Sequence, residues 1–488
     1  MIKNLKWLLL VSLTVVACSS EDAVQVETNS SDGLPLTSGS ANFTKYVALG
    51  NSLTAGYSDN ALFIEGQKVS YTNIMAQQFK LVGGGEFKIP FMSDNVGGFK
   101  VGGTVASGAR LFFNGTGPAA AAGTPSTEIL TSIAGAGPYN NCGVPGAKSF
   151  HLLSPTYGSP AGIAAGTANP YYVRFAPVNG TTSVVAYAAA QAPTFFSLWI
   201  GNNDVLGYAT TGGDGSNPIT PSAGPAGVGF DATYDALINT MTAGGAKGVV
   251  ANIPYVNTVP FFTTVPFNAA VVTLAQADAL NTAYTTYNGG LVAAKNAGLI
   301  TETERLARTI NFNAGANGLV MVDEYLTTVN VPSVGLVLPS LRQTTSADYV
   351  VLSSGGVSAQ AFLPLGNGTQ FALADKWVLS KGEVAELKTA TDAYNAKIQA
   401  VATAKGLAFV NANTLLTTIA TGGISANGFT VTSTFITGGG FSTDGVHPSP
   451  RGYAVIANKF IEAINSKYGS NLKGVDLGNY RILFPGTL

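Results

Sequence analysis

The chain has 488 residues, a formal net charge of -1, and charged side chains at only 10% of its positions. Nucleic-acid-binding domains usually carry a basic stripe, so this charge balance argues against a nucleic-acid partner. The 46% share of hydrophobic residues and the 59 glycines indicate a large core joined by long, weakly charged loops.

The first element along the chain predicts export and a lipid anchor. Two lysines precede a short apolar run that ends at Ala17, which is typical of a signal peptide and too short to span a bilayer. The small residue before Cys18 resembles a bacterial lipobox, which implies cleavage there and diacylation of the cysteine. We therefore expect residues 1–18 to be a lipoprotein signal peptide that ends at the lipidated cysteine. The alternative is ordinary cleavage that leaves the cysteine free.

Residues 19–42 are rich in serine, glycine and acidic residues and lack apolar periodicity, which predicts a flexible tether. Ser19 stands where an aspartate commonly marks retention in the inner membrane, so an outer-membrane lipoprotein is favoured. Its folded domain would then face the periplasm or the cell surface. Acyl chains supply about 0.8 kcal/mol per buried CH₂, so several of them would hold the protein on the membrane.

The folded part, residues 43–488, alternates apolar runs with helical patterns. The apolar runs lie at residues 45–49, 195–200, 248–253 and 407–410. Helical patterns follow at residues 231–243, at 381–405 and after Ser449, which can cap the last helix in front of Pro450. This alternation predicts an α/β fold: a three-layer α/β/α sandwich with a mostly parallel sheet.

These elements are too widely spaced for a minimal domain. We expect one domain with insertions at about residues 87–135, 155–193 and 255–375. The alternative is that the last of these segments is a discrete inserted subdomain.

Histidine is the side chain that most often acts as a base near neutral pH, and the chain has two, His151 and His447. His447 follows Asp444 by three residues in Asp-Gly-Val-His-Pro. On a turn with that spacing, the carboxylate can accept from one ring nitrogen and leave the other free as a base. The alternative is an aspartate that caps a turn near a structural histidine.

Gly50-Asn51-Ser52 follows the first apolar run. A serine just past a buried strand lies where open α/β sheets place their ligand sites, and a flanking glycine permits a sharp turn. The segment is not a G-x-S-x-G elbow, because residue 54 is threonine. The alternative is a serine that caps a helix.

Two further segments offer hydrogen-bond donors. The stretch Asn-Cys-Gly-Val-Pro-Gly-Ala at residues 141–147 predicts a tight loop with outward N–H groups, and Gly-Asn-Asn-Asp at 201–204 follows another apolar run. Backbone N–H groups and asparagine amides are the donors of an oxyanion hole, although either segment can be an ordinary turn. Cys142 is read as structural. His151 is also read as structural, on a helix after the loop, although it can line the pocket.

The ordered motifs G-N-S-L, N-x-x-x-x-G, G-N-N-D and D-G-V-H-P resemble the GDSL/SGNH hydrolase family. The resemblance covers the two ends and part of the middle of the chain. It implies a flavodoxin-like sheet, Ser52 as nucleophile, His447 as general base and then acid, and Asp444 as the residue that orients the histidine. It also implies an oxyanion hole made of the N–H of Ser52, the N–H of Gly146 and the side-chain amide of Asn203.

Asn51 stands where the family usually has aspartate, which implies altered local hydrogen bonding and retained activity. The family implies an esterase or lipase that works through an acyl-enzyme on a small ester or lipid substrate. An O-deacetylase of acetylated glycans is an alternative, and a non-catalytic surface-binding lipoprotein is an alternative of another class. The resemblance implies no metal and no cofactor, and Cys/His zinc spacings are absent.

Overall fold

A computed structural model describes residues 33–177, 180–352 and 366–488. The predicted signal peptide, Cys18 and most of the predicted tether lie outside these residues. Within the described residues, no helix combines the length and the apolar character needed to cross a bilayer.

The last part of the predicted tether packs on the C-terminal region. The side-chain amide of Asn471 donates to the carbonyl of Pro35 at 3.0 Å, and the N–H of Ser40 donates to the carbonyl of Tyr468 at 2.8 Å. The folded part therefore begins several residues before the boundary predicted at residue 43.

Strands and helices alternate along the chain and are numbered here in chain order. The strands are β1 (Tyr46–Gly50), β2 (Phe99–Val101), β3 (Thr104–Ser107), β4 (Leu111–Phe113), β5 (Pro118–Ala120), β6 (Asn141–Gly143), β7 (Phe195–Trp199), β8 (Lys247–Ala251), β9 (Ala270–Val272), β10 (Gly315–Asn317), β11 (Val320–Val322), β12 (Val329–Val331), β13 (Leu336–Leu338), β14 (Leu341–Gln343), β15 (Tyr349–Val350), β16 (Val378–Leu379), β17 (Ala408–Val410), β18 (Ile424–Ala426) and β19 (Phe429–Val431). The helices are α1 (Ser52–Ala55), α2 (Ile64–Lys68), α3 (Tyr71–Lys80), α4 (Pro170–Phe175), α5 (Val184–Ala189), α6 (Asn202–Thr210), α7 (Phe230–Thr242), α8 (Pro260–Thr263), α9 (Leu274–Ala283), α10 (Thr285–Asn296), α11 (Glu302–Arg308), α12 (Lys381–Ala404), α13 (Ala412–Thr421) and α14 (Pro450–Tyr468).

The central sheet has five parallel strands in the order β6-β1-β7-β8-β17. Numbered along the chain, that order is 2-1-3-4-5, which is the flavodoxin-like arrangement. Every residue of β1 and β7 is buried, as expected for parallel strands covered on both faces. The predicted α/β fold with a parallel sheet is confirmed.

Helices cover the sheet in two groups. Helix α3 packs against α14, which also lies on β17 and β8, whereas α7 packs against both α5 and α12. Along the sheet, the crossover from β1 to β6 runs toward one edge, and the crossovers from β7 to β8 and from β8 to β17 run toward the other edge. Because such crossovers are right-handed, their helices lie on opposite faces of the sheet. The result is three layers.

The last helix shows how local sequence sets an element. Ser449 accepts the N–H of Gly452 at 3.0 Å through its hydroxyl, and Pro450 occupies the first turn. The helix ends at Gly469, which adopts a left-handed conformation. The predicted capping by Ser449 is confirmed.

The long segment between β8 and β17 carries the small antiparallel pairs β9-β10, β11-β14 and β12-β13, and its strand β15 pairs with β16. One part of this segment belongs to the main core, since Met321 and Val350 lie in the same buried cluster as the central strands. Another part has a small buried cluster of its own, which includes Leu291, Val331 and Leu338.

One local prediction is wrong. Residues 141–147, expected to be a tight loop, begin with strand β6, which pairs with β1. Asparagine and glycine are depleted in strands, so the local sequence does not favour this one. The neighbouring strand β1 supplies its hydrogen bonds.

Candidate active site

The carboxyl ends of three neighbouring strands meet at one edge of the sheet. Gly50, the last residue of β1, lies opposite the last residues of both β6 and β7. The segments that continue from these three strands carry Ser52, Gly146 and Asn203. The segments that carry these three residues, which are far apart in sequence, therefore begin at adjacent positions of the sheet. This is the point where the order of the strands reverses, and ligands usually bind there in open α/β sheets.

Ser52 is the first residue of α1, and Asn51 caps that helix by accepting the N–H of Leu53 at 3.1 Å. A Cβ atom at Gly50 would lie 2.2 Å from the hydroxyl of Thr54, so only glycine permits this tight turn. Because Asn51 is the cap, the hydroxyl of Ser52 is available to another partner. The reading of Ser52 as a helix cap is therefore wrong.

A chain of hydrogen bonds joins Ser52, His447 and Asp444. The Nε2 atom of His447 lies 2.9 Å from Ser52 Oγ, and its Nδ1 atom lies 2.9 Å from Asp444 Oδ2. Asp444 Oδ1 accepts the backbone N–H groups of Val446 and His447, each at 2.8 Å. The aspartate therefore caps its turn and also orients the imidazole, with one ring nitrogen left to accept the serine proton.

Asp444 is buried, and burial alone would raise its pKa. The charge of His447 and the hydrogen bonds from His447 and Val446 outweigh that effect and lower the pKa of Asp444 to about 2. The carboxylate is therefore ionised at neutral pH and can stabilise a protonated imidazole.

A turn that the sequence analysis did not single out holds this loop in place. The N–H of Asn60 donates to Asp444 Oδ2 at 2.8 Å, and Asp59 Oδ1 accepts the N–H and the hydroxyl of Thr443 at 3.0 and 2.6 Å. Burial raises the pKa of Asp59 to about 6. Both turn residues have positive φ, and an Asp-Asn pair is a recognisable turn signal. Nothing in that local signal indicates contact with a residue 384 positions away.

Donors suited to an anion lie beside the serine. Gly146 and Asn203 line the cleft in front of His447. The side-chain amide of Asn203 donates to the carbonyl of Ala147 at 2.9 Å, which orients it and leaves its second hydrogen for a ligand. Within the described part of the chain, the N–H groups of Ser52 and Gly146 have no acceptor. Such a set of free donors is what a developing oxyanion requires.

Polar contacts tie the loops of this edge together. The Asn51 amide donates to the side-chain oxygen of Asn202 at 3.2 Å, so it links the serine turn to the start of α6. Asp204 accepts the N–H and the hydroxyl of Ser149 at 2.8 and 2.6 Å. Asn51 thus donates a hydrogen bond that bridges the two loops. An unprotonated aspartate at that position has no hydrogen to donate and could not make this bond.

Cys142 and His151 lie apart from this cluster. The Cys142 thiol is buried next to the carbonyl of Tyr139, and burial raises its pKa. His151 lies on a short 3₁₀ helix, accepts the N–H of Lys148 at 3.0 Å and stacks on Tyr157 with ring centres 4.6 Å apart. Burial, aided by the charge of Lys148, lowers the pKa of His151 to about 4. Neither side chain contacts Ser52.

An apolar pocket of about 90 Å³ opens beside Ser52 and His447. Helix α13 supplies one wall, and strand β7, helices α6 and α14 and several loops supply the rest. The apolar lining side chains include Trp199, Leu206, Pro254, Val256, Val259, Leu415, Leu416, Ile419, Phe441 and Ile456. The sequence analysis missed this pocket, because its walls come from segments that only the fold brings together.

A wider cleft of about 590 Å³ lies on the other side and shares Asn203 and His447 with the apolar pocket. Its lining includes the polar and aromatic residues Lys148, Thr210, Thr211, Asp214, Asn217, Lys376 and Trp377. His447 therefore lies where the narrow apolar pocket, which Ser52 also lines, meets a broader cleft with a mixed polar and apolar lining.

Comparison of the chain with protein-family models, with curated proteins and with solved structures found no match. Function is therefore inferred from the geometry of the site.

Proposed function

We propose that the protein is a serine hydrolase that cleaves carboxylic esters through an acyl-enzyme on Ser52. The observation that carries this proposal is the hydrogen-bonded sequence Asp444–His447–Ser52, with 2.9 Å at both histidine contacts. A nucleophile, a base within reach of it and a group that orients the base are the parts required for nucleophilic acyl transfer. A non-catalytic binding protein has no need of that alignment.

Acylation begins when Ser52 Oγ attacks the ester carbonyl and its proton passes to His447 Nε2. The carbonyl oxygen becomes an oxyanion, which the free donors of Ser52, Gly146 and Asn203 stabilise. His447 then returns the proton to the leaving alcohol, and the carbon–oxygen bond of the ester breaks. Asp444 remains ionised throughout and stabilises the protonated imidazole.

Deacylation repeats these steps with water as the nucleophile. His447 takes a proton from the water, which attacks the acyl carbon and forms a second oxyanion at the same donors. Collapse of that intermediate releases the carboxylic acid and returns the proton to Ser52.

The two cavities suggest how an ester is oriented. The apolar pocket suits a hydrocarbon acyl chain, since each buried CH₂ contributes about 0.8 kcal/mol. The broad cleft, with Lys148, Lys376 and Trp377, suits a bulky or polar alcohol. This supports an esterase or lipase over an O-deacetylase of glycans, because an acetyl group leaves most of the apolar pocket unfilled.

Nitrophenyl esters of increasing acyl length test this orientation. We expect kcat/KM to rise on the order of 10-fold or more from acetate to the best medium-length ester. Leu415→Trp should fill the pocket and shift the preference toward acetate. Thr417→Trp, on the exposed side of the same helix, should keep the wild-type order.

Acetylated xylan belongs in the same assay. A protein that releases acetate from it faster than it cleaves any longer nitrophenyl ester would be an O-deacetylase and would contradict the acyl-pocket assignment.

We also propose that the protein is attached to the outer membrane through a lipidated Cys18. The support is the sequence alone: two lysines, a short apolar run and the Val-Val-Ala-Cys stop. Wild-type cells should incorporate labelled fatty acid into the protein, and Cys18→Ala should abolish the label. A wild-type protein that takes up no label and stays in the aqueous phase of a detergent partition would instead be simply secreted.

A further inference from the structure

Three carboxylates converge outside the active site. Glu324 follows β11, Asp375 lies just before β16, and Glu383 lies in the first turn of α12. One oxygen from each of the three lies within 4.8 Å of the others. They come from three separate segments, so the fold and not local sequence brings them together.

Glu383 is fully buried, and half of its carboxylate has no partner. Its Oε2 atom accepts the N–H of Ser380 in a capping box. Its Oε1 atom is buried and has no hydrogen-bond donor among the described residues. Leaving a buried carboxylate oxygen unpaired is costly, so an atom in this position indicates a missing positive partner.

The protein supplies no such partner in its described part. None of the ion pairs formed there includes Glu324, Asp375 or Glu383. The nearby Arg342 is engaged by two other aspartates, and the Lys376 ammonium lies 5.2 Å from the centre of the Trp377 ring.

Other acidic groups surround the three carboxylates and add to the negative charge. Asp214 and Asp323 repel Asp375, and Glu386 binds the hydroxyl groups of two tyrosines close by.

The backbone leaves room for the free oxygen. Gly213 lies in the turn after α6 with φ +84°, and a Cβ there would lie 2.2 Å from Glu383 Oε1. Any other residue at 213 would collide with that oxygen. The turn therefore closes over the cluster without a side chain and connects it to α6, the helix that begins with Asn202 and Asn203.

We propose that Glu324, Asp375 and Glu383 bind one hard divalent cation, Ca²⁺. All three donors are carboxylate oxygens, which Ca²⁺ prefers, and no nitrogen or sulfur ligand is among them. Ca²⁺–oxygen distances of about 2.3–2.6 Å put oxygens on opposite sides of the ion roughly 4.6–5.2 Å apart, close to the observed spread. Water or backbone carbonyls would complete the six to eight ligands that Ca²⁺ takes.

The bound ion would fasten the inserted region to the catalytic core. Glu324 and Asp375 belong to the segment between β8 and α12, whereas Glu383 belongs to α12, which packs on the sheet. The ion's role is structural, so its detection requires no ester hydrolysis and does not rest on the proposed enzymatic activity.

Calorimetric titration of the full folded domain tests the site. The protein is stripped with EDTA, exchanged into chelator-free buffer and titrated with CaCl₂ and, separately, MgCl₂. We expect one Ca²⁺ per chain and a rise in Tm of roughly 2–5 °C at saturating Ca²⁺. A wild-type protein that binds no Ca²⁺, or that binds Mg²⁺ and not Ca²⁺, overturns the proposal.

Glu383→Gln is the diagnostic variant. It should weaken Ca²⁺ binding by at least about 10-fold, because ligand charge sets affinity. Its Tm in EDTA should not fall, since the amide removes a buried unpaired charge. Glu462→Gln, which changes an exposed carboxylate paired with Lys459 on α14, should bind Ca²⁺ like the wild type.

Equal Ca²⁺ binding by Glu383→Gln and the wild type overturns the assignment of these ligands. Should Glu383→Gln fail to fold, Asp375→Asn, which is partly exposed, carries the same expectation and the same contradicting outcome.

Discussion

The carboxyl edge of the parallel sheet and the junction between the inserted region and α12 each contain a buried carboxylate, Asp444 and Glu383 respectively. Asp444 accepts hydrogen bonds from Asn60, Val446 and His447. Glu383 has one oxygen with no donor within the described residues. The pKa of Asp444 lies at about 2, and burial raises that of Glu383 to about 7.

This difference shows how a buried carboxylate group can serve two purposes. A carboxylate that is fully hydrogen-bonded keeps its charge and its position, as an orienting group beside a base requires. A buried carboxylate left unpaired destabilises the protein by itself and favours a bound cation. The sheet edge therefore carries the proposed chemistry, and the inserted region carries interactions that affect stability.

Ser52→Ala should have the largest effect of these variants. That effect should be on activity, with stability almost unchanged. Triad members act as a unit, so we expect kcat/KM on the best ester to fall on the order of 10⁴-fold or more. Ser52 makes one side-chain hydrogen bond, so the free energy of unfolding should change by no more than about 1 kcal/mol.

A fluorophosphonate probe checks the same residue chemically. It should label the wild type and Ser425→Ala, a variant of an exposed serine in the β18–β19 hairpin, and should not label Ser52→Ala. Near-normal turnover by Ser52→Ala would reject the nucleophile assignment.

Arg342→Met should do the reverse and lower stability while sparing catalysis. Arg342 binds Asp348 through two hydrogen bonds of 2.7 Å and also contacts Asp323, and all three side chains are buried. Removing the arginine leaves two buried charges unpaired, which costs about 3–5 kcal/mol. Urea unfolding measures the loss, and kcat/KM per folded molecule should stay within about 3-fold of the wild type, since the change lies outside the reacting groups.

A partial rescue sharpens that test. Changing Asp323 and Asp348 to asparagine in the Arg342→Met background should recover part of the lost stability, because the unpaired charges are removed. A loss below about 1 kcal/mol in the single variant would show that the ion network is dispensable.

Asn203→Ala should lower kcat about 10²–10³-fold with little change in KM. An oxyanion donor strengthens its contact mainly in the transition state, so ground-state binding is spared. Steady-state kinetics on one ester separates the two constants. A raised KM with unchanged kcat would make Asn203 a ground-state contact.

His151→Asn should have the smallest effect. The pKa of His151, lowered to about 4 by burial and then by the charge of Lys148, leaves this histidine neutral at higher pH. The base must be unprotonated to accept the Ser52 proton, so kcat/KM declines on the acid side. The pH profile of His151→Asn should keep that acid limb, and its loss would transfer the role of base to His151.

Much of the fold is readable from local pattern. The sequence predicts the helices at 231–243 and 381–405, and in the structure they run from Phe230 to Thr242 and from Lys381 to Ala404. Strand β6 escapes prediction because its residues have no strand preference and its partner is almost 100 residues away.

The sequence by itself predicted the parallel α/β fold and singled out Ser52, Asp444 and His447 as candidate residues. Apolar runs, their abrupt ends and helix caps are local features that carry the fold, whereas the three residues were found from short sequence motifs. The tertiary structure alone decided what surrounds those residues. The apolar pocket, the Asp59–Asn60 turn and the three converging carboxylates each join segments remote in sequence, and such contacts arise from packing, which no local periodicity encodes.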